Sequence, residues 1–228
     1  TRNHSSAASD VYKRQRQDYL ATTPQCRGEL IEMTMAGTAE GRITALRGLL
    51  TKDGGAYGLV GLLLPGGYTR PMANGAYDID HVEFESRGVL TNLPPTSAYR
   101  GAGRSPWINA IERTIDRFAT QVGIDPAEVR RMNLIKPDQM PYRTPTGGLY
   151  DEADYPGDLE RALEAVGYAE VRHAQQARRS QPGSRQLGIG LASYNHMTTG
   201  GGGEEAHVTV GVDGRVTVVT GTTSQGHG

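Results

Sequence analysis

The chain carries the sequence TNLPPTSAYRGAGRS at residues 91–105, which predicts an irregular loop that runs directly into a helix. Its prolines remove backbone N–H donors and restrict the residues before them, so they exclude a helix before Tyr99 and exclude a central strand. Gly101 and Gly103 allow the backbone to turn tightly and to come close to whatever lies opposite. The flanking sequence is therefore expected to form the elements that hold this loop.

The charges and the helix start at the end of this loop predict a cradle for an anion or an oxo group. Arg100 and Arg104 supply positive charge and forked hydrogen-bond donors. Ser105 is the predicted N-cap and Pro106 the first helical residue, and a helix start leaves N–H groups that attract negative charge. A plain helix start with two solvated arginines fits the same residues, so local chemistry leaves both alternatives open.

Composition is that of an ordinary folded protein with no strong charge. The 228 residues are 36% hydrophobic and 21% charged, with a net charge of -1, which predicts one or two domains. This charge offers no basic surface for nucleic acid and no attraction to acidic membranes. The longest apolar run, LVGLLL at residues 59–64, is too short to span a bilayer, and we expect a cytoplasmic location.

The sequence predicts neither a metal site built from protein ligands nor a hydrolytic nucleophile. The single cysteine, Cys26, cannot form an internal disulfide or supply a zinc-site spacing by itself. The six histidines are scattered and form no closely spaced pair. There is no nucleophile-elbow pentapeptide, and no histidine is placed to activate Cys26. These patterns disfavour hydrolases.

Periodicity predicts a hairpin before the loop. Residues 1–15 have neither helical nor strand periodicity, and we exclude them from the fold as a foreign or artefactual tail. Residues 28–36 alternate like a strand, with Ile31, Met33 and Met35 on one face, and residues 43–50 are predicted to return as a second strand. A third alternating segment, residues 81–86, leads into the loop.

Periodicity also predicts helices after the loop. Residues 106–122 carry an apolar face and end at Gly123; that face consists of Ile108, Ile111, Ile115, Phe118 and Val122. Asp125 to Glu128 resembles a capping box with proline at the first helical position, and Val129 and Met132 continue an apolar face.

The second half mixes helices and strands. A further apolar stripe is followed by Gly167 and by a weaker charged helix over residues 169–179; the stripe consists of Leu159, Ala162, Leu163 and Val166. Residues 188–194 are predicted as a strand, and residues 206–220 as a hairpin with a two-residue turn at Asp213-Gly214. The fold class is therefore α+β, with two mixed α/β halves that contain β-hairpins.

Three segments resemble the molybdopterin-binding large subunit of the molybdenum hydroxylases. They are Thr91-Asn92, AYRGAGR at residues 98–104 and IDPAEVRRMNL at residues 124–134, in this order and spacing. The family contains xanthine dehydrogenase, aldehyde oxidase and the large chain of aerobic carbon monoxide dehydrogenase. The resemblance extends over residues 16–228.

The resemblance implies partial domains of a longer enzyme. Residues 16–146 correspond to part of a first molybdopterin-binding domain, and residues 147–228 to the start of a second. It also implies that the family's upstream glycine-rich segment and its downstream glutamate base lie outside this chain. We therefore expect an internal fragment that is inactive by itself.

The resemblance also implies which residues form the site. Ala98, Tyr99, Arg100, Gly101 and Gly103 would hold the cofactor. Gln225, Gly226, His227 and Gly228 would contact the pterin, with histidine in place of the family's glutamine, so a two-pronged amide contact is lost.

The substrate side of the site follows from the same resemblance. Arg100, Gly101, Ala102 and Tyr194 would line the substrate pocket. Carbon monoxide-oxidising members carry a cysteine where this chain has Gly101, and without that thiolate there is no site for their copper. Purine-oxidising members carry a phenylalanine at the place of Ala102, so alanine leaves a roomier and less aromatic wall.

The implied function is a molybdenum-dependent hydroxylase or dehydrogenase that oxidises an aldehyde or an N-heterocycle with water-derived oxygen. The implied cofactor is molybdenum–molybdopterin, with the cytosine dinucleotide form as one alternative. Electrons would pass to [2Fe-2S] clusters on an iron–sulfur small subunit and to FAD on a medium subunit. We expect no protein ligand to the molybdenum from these residues.

Two other interpretations remain open from the residues themselves. The chain could be a non-enzymatic α+β binding or interaction module whose glycine-rich loops are only turns. A nucleotide-binding enzyme using Gly101 to Gly103 is disfavoured because the preceding strand and the later acidic residue are absent. Convergence of the Arg100 loop and the Ser224 loop on one cleft would favour the cofactor site.

Overall fold

The computed structural model describes residues 16–181, 183, 185–196 and 205–221. The chain separates into two compact units, Thr1–Asn195 and His196–Gly228. Helices and small sheets alternate along the chain, which confirms the predicted α+β class. None of the described helices is long and apolar enough to cross a membrane. The predicted domain division at residue 146 and the exclusion of residues 1–15 stay predictions.

The main sheet of the first unit has three strands. After the short helix α1 (Arg16–Thr22), strand β1 (Glu29–Gly37) pairs antiparallel with β2 (Ile43–Asp53), and β3 (His81–Val89) adds parallel to β2 on the other side. The predicted hairpin is therefore confirmed, and β2 is the central strand. The alternation in β1 also holds, because the three predicted apolar residues are partly buried while their neighbours are exposed.

Helix α2 (Ser105–Val122) packs against this sheet. Of the predicted apolar face, Ile111, Ile115 and Phe118 are buried, whereas Ile108 and Val122 are only partly buried. The side chain at the centre of the contact, Trp107, was not predicted. It is 1% exposed, its indole N–H donates to the carbonyl of Ala73 at 2.9 Å, and a Cβ atom at Gly48 would overlap its ring.

Helix α3 (Pro126–Asn133) begins as the sequence predicts. Asp125 is the N-cap, and its carboxylate accepts from the Ala127 N–H at 2.8 Å. Val129 is buried, but Met132 is 40% exposed, so only part of the predicted apolar face is correct. The helix has only 8 residues, and Asn133 rather than Met132 takes the buried position near its end.

A short two-stranded sheet and two further helices follow. Strands β4 (Tyr142–Arg143) and β5 (Leu149–Tyr150) form one short pair, and helices α4 (Tyr155–Val166) and α5 (Tyr168–Arg179) meet at Gly167, where φ is 61°. The sequence correctly predicted two successive helices that meet at Gly167. The buried stripe of α4 is narrower than predicted. Only its i, i+4 pair of leucines is buried, while Ala162 and Val166 are exposed at the surface.

The predicted strand over residues 188–194 is wrong. These residues form no strand, because no described strand runs beside them. The segment is held instead by side chains from helices. Gln175 donates to the carbonyl of Leu187 and Arg130 to that of Leu191, both at 2.8 Å, and the Ser193 N–H donates to Glu112 at 3.1 Å.

The second unit contains the predicted hairpin. Strand β6 (Ala206–Val210) pairs antiparallel with β7 (Val216–Thr220). The turn differs slightly from the prediction. Gly214 donates to the carbonyl of Gly211, and Gly211 donates to that of Arg215. Five residues, 211–215, rather than two therefore connect the strands, with Gly214 at φ 79°.

Candidate functional site

The Arg100 loop, defined here as residues 97–104, consists of successive turns without regular secondary structure. The N–H of Ala102 donates to the carbonyl of Tyr99, and the N–H of Arg104 donates to that of Gly101, each at 2.8 Å. Gly101 and Gly103 have φ of 78° and 80°, a conformation that other residues adopt only with strain. The predicted loop is confirmed, and these dihedral angles explain both glycines.

The start of helix α2 differs from the prediction by one residue. Arg104, not Ser105, is the N-cap, and no side chain caps the helix. The reason is that the preceding turn already brings Arg104 to helical angles, φ -91° and ψ -42°. Among the described residues, the N–H groups of Gly103 and Ser105 donate no hydrogen bond. This end of the loop therefore presents free donors.

The two arginines of the loop have different environments. Arg100 and its neighbour Tyr99 are exposed. Arg104 is 6% exposed and its guanidinium lies 5.3 Å from the centre of the Tyr68 ring. Burial lowers the pKa of Arg104 below its ordinary value, although a guanidinium stays protonated at physiological pH. Of the two loop arginines, only Arg100 faces the solvent. The alternative with two solvated arginines is therefore wrong for Arg104.

The base of the loop is tied to the end of strand β2. The carboxylate of Asp53 accepts from the Thr91 hydroxyl at 2.7 Å and from the Gly55 N–H at 2.8 Å. These two hydrogen bonds hold the pKa of Asp53 below its ordinary value, and the one from Gly55 has the larger effect. The Thr96 hydroxyl donates to the carbonyl of Asp53 at 2.8 Å. At the far end, the Thr69 hydroxyl donates to the carbonyl of Gly103 at 2.6 Å.

The Arg100 loop forms one wall of a shallow, partly open cleft. Four of the predicted cofactor residues line this cleft from the loop side: Tyr99, Arg100, Gly101 and Gly103. Its other wall includes residues from the turn before β1 and from the two strands of the hairpin: Cys26, Arg27, Glu29 and Lys52.

A buried ion pair lies in this cleft, and sequence reasoning missed it. Lys52 Nζ is 2.8 Å from Glu29 Oε1, and each side chain is 2% exposed. The other carboxylate oxygen, Glu29 Oε2, is buried and has no hydrogen-bond partner among the described residues. The hairpin register could have revealed the pair, because Glu29 and Lys52 lie directly opposite each other on β1 and β2.

Three of the remaining predicted site residues lie in the described part of the chain and do not line the cleft. Ala98, Ala102 and Tyr194 are absent from its described lining, and Tyr194 is 65% exposed in the segment that follows α5. Gln225, Gly226, His227 and Gly228 lie outside the described residues. The predicted convergence of the two glycine-rich loops is therefore not addressed by the described residues, and these assignments stay predictions.

A second polar cluster, the Glu112 cluster, was also missed. It consists of Tyr77, Glu112, Asp116 and Arg130. The carboxylate of Glu112 accepts from the Tyr77 hydroxyl at 2.7 Å and from Arg130 Nη2 at 2.8 Å, and Arg130 Nη1 is 2.8 Å from Asp116. Burial raises the pKa of Glu112 above its ordinary value, and Arg130 opposes that shift. The cluster joins α2 to α3 in the interior.

The described residues contain no group of three or more histidine, cysteine, aspartate or glutamate side chains able to hold a metal ion. The polar groups that are available at the cleft are backbone N–H groups, the exposed residues Arg27 and Arg100, and the buried ion pair. Such a set recognises a ligand with anionic or oxo groups.

Comparison with known proteins decides the family. Two family models, each described as a molybdopterin cofactor-binding domain, match the chain, one over residues 11–134 and the other over residues 161–228. The chain belongs to the molybdopterin-binding subunits of the molybdenum hydroxylase family. The resemblance of the loop and of residues 124–134 to that family is thereby confirmed.

Known members of the molybdenum hydroxylase family are similar over most of the chain. The carbon monoxide dehydrogenase large chain of Hydrogenophaga pseudoflava is 35% identical over 191 residues, which is 82% of this chain and 24% of that protein. The nicotine 6-hydroxylase large subunit of Paenarthrobacter nicotinovorans is 30% identical over 229 residues, 93% of this chain and 28% of that one.

A solved structure of Cu,Mo-CO dehydrogenase in its carbon monoxide-reduced state superposes with a TM-score of 0.80 at 27% identity. It covers 96% of this chain and 31% of the other. The chain therefore spans less than a third of the length of these three relatives.

The residues of the Arg100 loop would suit the anionic molybdopterin group of this family. A Cβ atom at Gly101 would overlap the hydroxyl of Ser105, and one at Gly103 would lie 3.0 Å from the Cβ atom of Leu64, so the backbone is packed too closely for larger residues. The free N–H groups of Gly103 and Ser105 and the exposed Arg100 supply donors for anionic oxygen atoms.

Proposed function

We propose that this chain is the part of a molybdenum hydroxylase that holds molybdopterin beside the substrate. The observation that carries the proposal is the Arg100 loop, in which two glycines at positive φ and an exposed arginine line a cleft beside free N–H groups. The proposed reaction is oxidation of an aldehyde or an N-heterocycle with oxygen derived from water. The cofactor, when bound, supplies the redox chemistry.

The proposed work of the chain's own residues is binding and orientation. Arg100 supplies a fixed positive charge, and the N–H groups of Gly103 and Ser105 donate to oxygen atoms of the cofactor. The turns that end at Arg104 are already formed by backbone hydrogen bonds, so the donors need little rearrangement when the cofactor binds. The family resemblance also assigns Gln225, Gly226, His227 and Gly228, which lie outside the described residues, to the pterin.

The proposed substrate class depends on the small residues of the loop. Gly101 has no thiol, so this chain would offer no cysteine for a copper ion, and we infer that carbon monoxide is not the substrate. Ala102 would leave an open wall, and Tyr194 an aromatic one. One relative is a nicotine 6-hydroxylase by name, which supports an N-heterocycle as one of the two proposed classes.

The proposed partners follow from the family. Two relatives carry the words large chain or large subunit in their names, which supports assembly with other subunits. We infer an iron–sulfur small subunit with [2Fe-2S] clusters and an FAD-binding medium subunit, in the cytoplasm. We infer also that the 228-residue chain by itself oxidises no substrate, because it spans less than a third of its relatives. Aldehyde oxidation by the purified chain would contradict this.

The test is to produce the complete large subunit with its neighbouring subunits in a host that makes molybdopterin. Molybdenum is measured by mass spectrometry, and the pterin by fluorescence after release and oxidation. We expect about one molybdenum and one pterin per large subunit, and oxidation of aldehydes or N-heterocycles without oxidation of carbon monoxide. A folded complex with neither molybdenum nor pterin would favour a non-enzymatic binding module instead.

A further inference from the structure

The turn before strand β1 has an unusual backbone. Arg27 has φ of 65°, and it is the sole residue other than glycine with positive φ in the part of the chain that the structure describes. A side chain in this conformation crowds its own backbone, so an arginine here is strained unless its contacts compensate. Gly28 follows at φ 61°, so the chain makes a tight left-handed turn at this point.

The side chain of Arg27 contacts the Arg100 loop. Its Nη2 donates to the carbonyl of Arg100 at 2.9 Å, across 73 residues of sequence. Its guanidinium carbon lies 5.4 Å from the centre of the Tyr99 ring, within the range of a cation–π contact. Both contacts fall on the outer turn of the loop, whose own side chains are exposed.

The buried ion pair holds the backbone of the same residue. Lys52 Nζ donates to the carbonyl of Arg27 at 3.3 Å while it pairs with Glu29 at 2.8 Å. The N–H of Asp53 donates to the carbonyl of Gly28 at 2.8 Å. The interior of the hairpin thus fixes the turn, and the turn directs the guanidinium at the loop.

We propose that Arg27 is a positioning residue for the Arg100 loop, and that the Glu29–Lys52 pair holds Arg27 in place. The loop determines the positions of the free N–H groups of Gly103 and Ser105. Contacts from Arg27 to its outer turn reduce the motion of the loop before binding, so less conformational entropy is lost when the cofactor binds. This inference rests on the proposed function of the loop as a cofactor contact. It assigns a role to three residues outside the loop itself.

The first test separates loop order from stability. Arg27→Gly removes the brace and also relieves the positive φ, so the thermal midpoint is expected to stay equal or to rise. Hydrogen exchange of the complete large subunit, purified without cofactor, is then compared at the amides of Ala102 and Arg104. We expect exchange about 3- to 10-fold faster there, in line with the loss of one hydrogen bond, and unchanged exchange at Ile124. Unchanged exchange at both loop amides would overturn the proposal.

The second test addresses the ion pair. A single Lys52→Met change leaves a buried carboxylate unpaired and is expected to prevent folding, so the variant used is Glu29→Met with Lys52→Met, which replaces both charges by apolar groups of similar length. This double variant is expected to loosen the loop as Arg27→Gly does. Adding Arg27→Gly to it should give little further increase in exchange, because the residues act in series. Fully additive increases would overturn the role of the pair.

The third test links the brace to the cofactor. The Arg27→Gly subunit, loaded with cofactor in a host that makes molybdopterin, is dialysed and its remaining pterin is followed with time. Cofactor loss about 3- to 10-fold faster than in the unmodified protein is expected, and Arg27→Lys, which keeps the cation but not the forked donor, should be intermediate. Faster loop exchange with unchanged cofactor loss would overturn the positioning role and contradict the proposed function of the loop. Unchanged loop exchange would overturn the brace alone.

Discussion

The Arg100 loop and the Glu112 cluster use arginine in opposite ways. In the cluster, Arg130 is fully buried and its guanidinium donates to Glu112, to Asp116 and to the carbonyl of Leu191. In the loop, Arg100 is exposed and is followed by Gly101 and Gly103, whose positive φ angles only glycine adopts without strain.

The difference distinguishes an arginine that stabilises the fold from one that is available to bind a ligand. A buried arginine with saturated partners joins helices, and its removal leaves a buried carboxylate uncompensated. An exposed arginine on a tightly turned loop contributes little to stability, so a role in binding explains its position better than a structural role does.

The largest effect is expected from Arg130→Met. Because Glu112 would remain buried without its partner, the free energy of unfolding should fall by about 3–5 kcal/mol. Urea denaturation of the purified protein measures this. A loss below about 1 kcal/mol would contradict the structural role of the cluster, and Arg131→Met, at an exposed ion pair beside it, serves as the matched control.

A smaller effect is expected where the helix that carries the cluster rests on the sheet. In Gly48→Ala, the added methyl group would overlap the Trp107 ring, so the free energy of unfolding should fall by about 1–3 kcal/mol. The fluorescence of Trp107, the single tryptophan of the chain, should shift as its environment changes. An unchanged spectrum and an unchanged stability would show that the helix is not seated there.

The base of the loop should respond to acid. The pKa of Asp53 is lowered in the folded protein, so its contribution to stability is present above its ordinary value of 3.8 and is lost as pH falls through the lower folded value. In Asp53→Asn, the decline of the unfolding free energy with falling pH should therefore be shallower below about pH 4. Urea denaturation at a series of pH values checks this, and an unchanged slope would count against the tie between Asp53 and the loop.

The smallest effect on stability is expected from Arg100→Ala. Because this side chain is exposed, the free energy of unfolding should change by no more than about 0.5 kcal/mol. The same substitution should weaken cofactor retention in the complete subunit. A loss of stability similar to that of Arg130→Met would remove the distinction between the two arginines.

Sequence patterns predicted the elements whose causes are local. Pro94, Pro95 and the glycines of the loop forced irregular backbone, and alternation along residues 28–36 gave the hairpin. The α+β class follows from these local patterns together. Four of the predicted cofactor residues do line one cleft.

The errors came from interactions between distant residues. Glu112 and Arg130 lie 18 residues apart, and Glu112 and Ser193 lie 81 apart, so no local pattern indicates their network. The same network holds residues 188–194, where helix side chains bond to the carbonyl of Leu191 and to the N–H of Ser193 although no described strand runs beside the segment. Glu29 and Lys52 could have been predicted, because the hairpin register places them opposite each other.

The most direct test compares two glycines with similar dihedral angles. Gly103, at φ 80°, lies in the Arg100 loop, and Gly123, at φ 74°, ends helix α2 with open space around it. Substitution by alanine should cost about 1–2 kcal/mol of stability at Gly123, and more at Gly103, where the new Cβ atom would lie 3.0 Å from that of Leu64. We expect the complete large subunit with Gly103→Ala to retain less than about a third of the molybdenum and pterin, and that with Gly123→Ala to retain nearly all, as each kcal/mol changes binding about fivefold. Equal cofactor content in the two variants would contradict the assignment of the Arg100 loop as the cofactor contact.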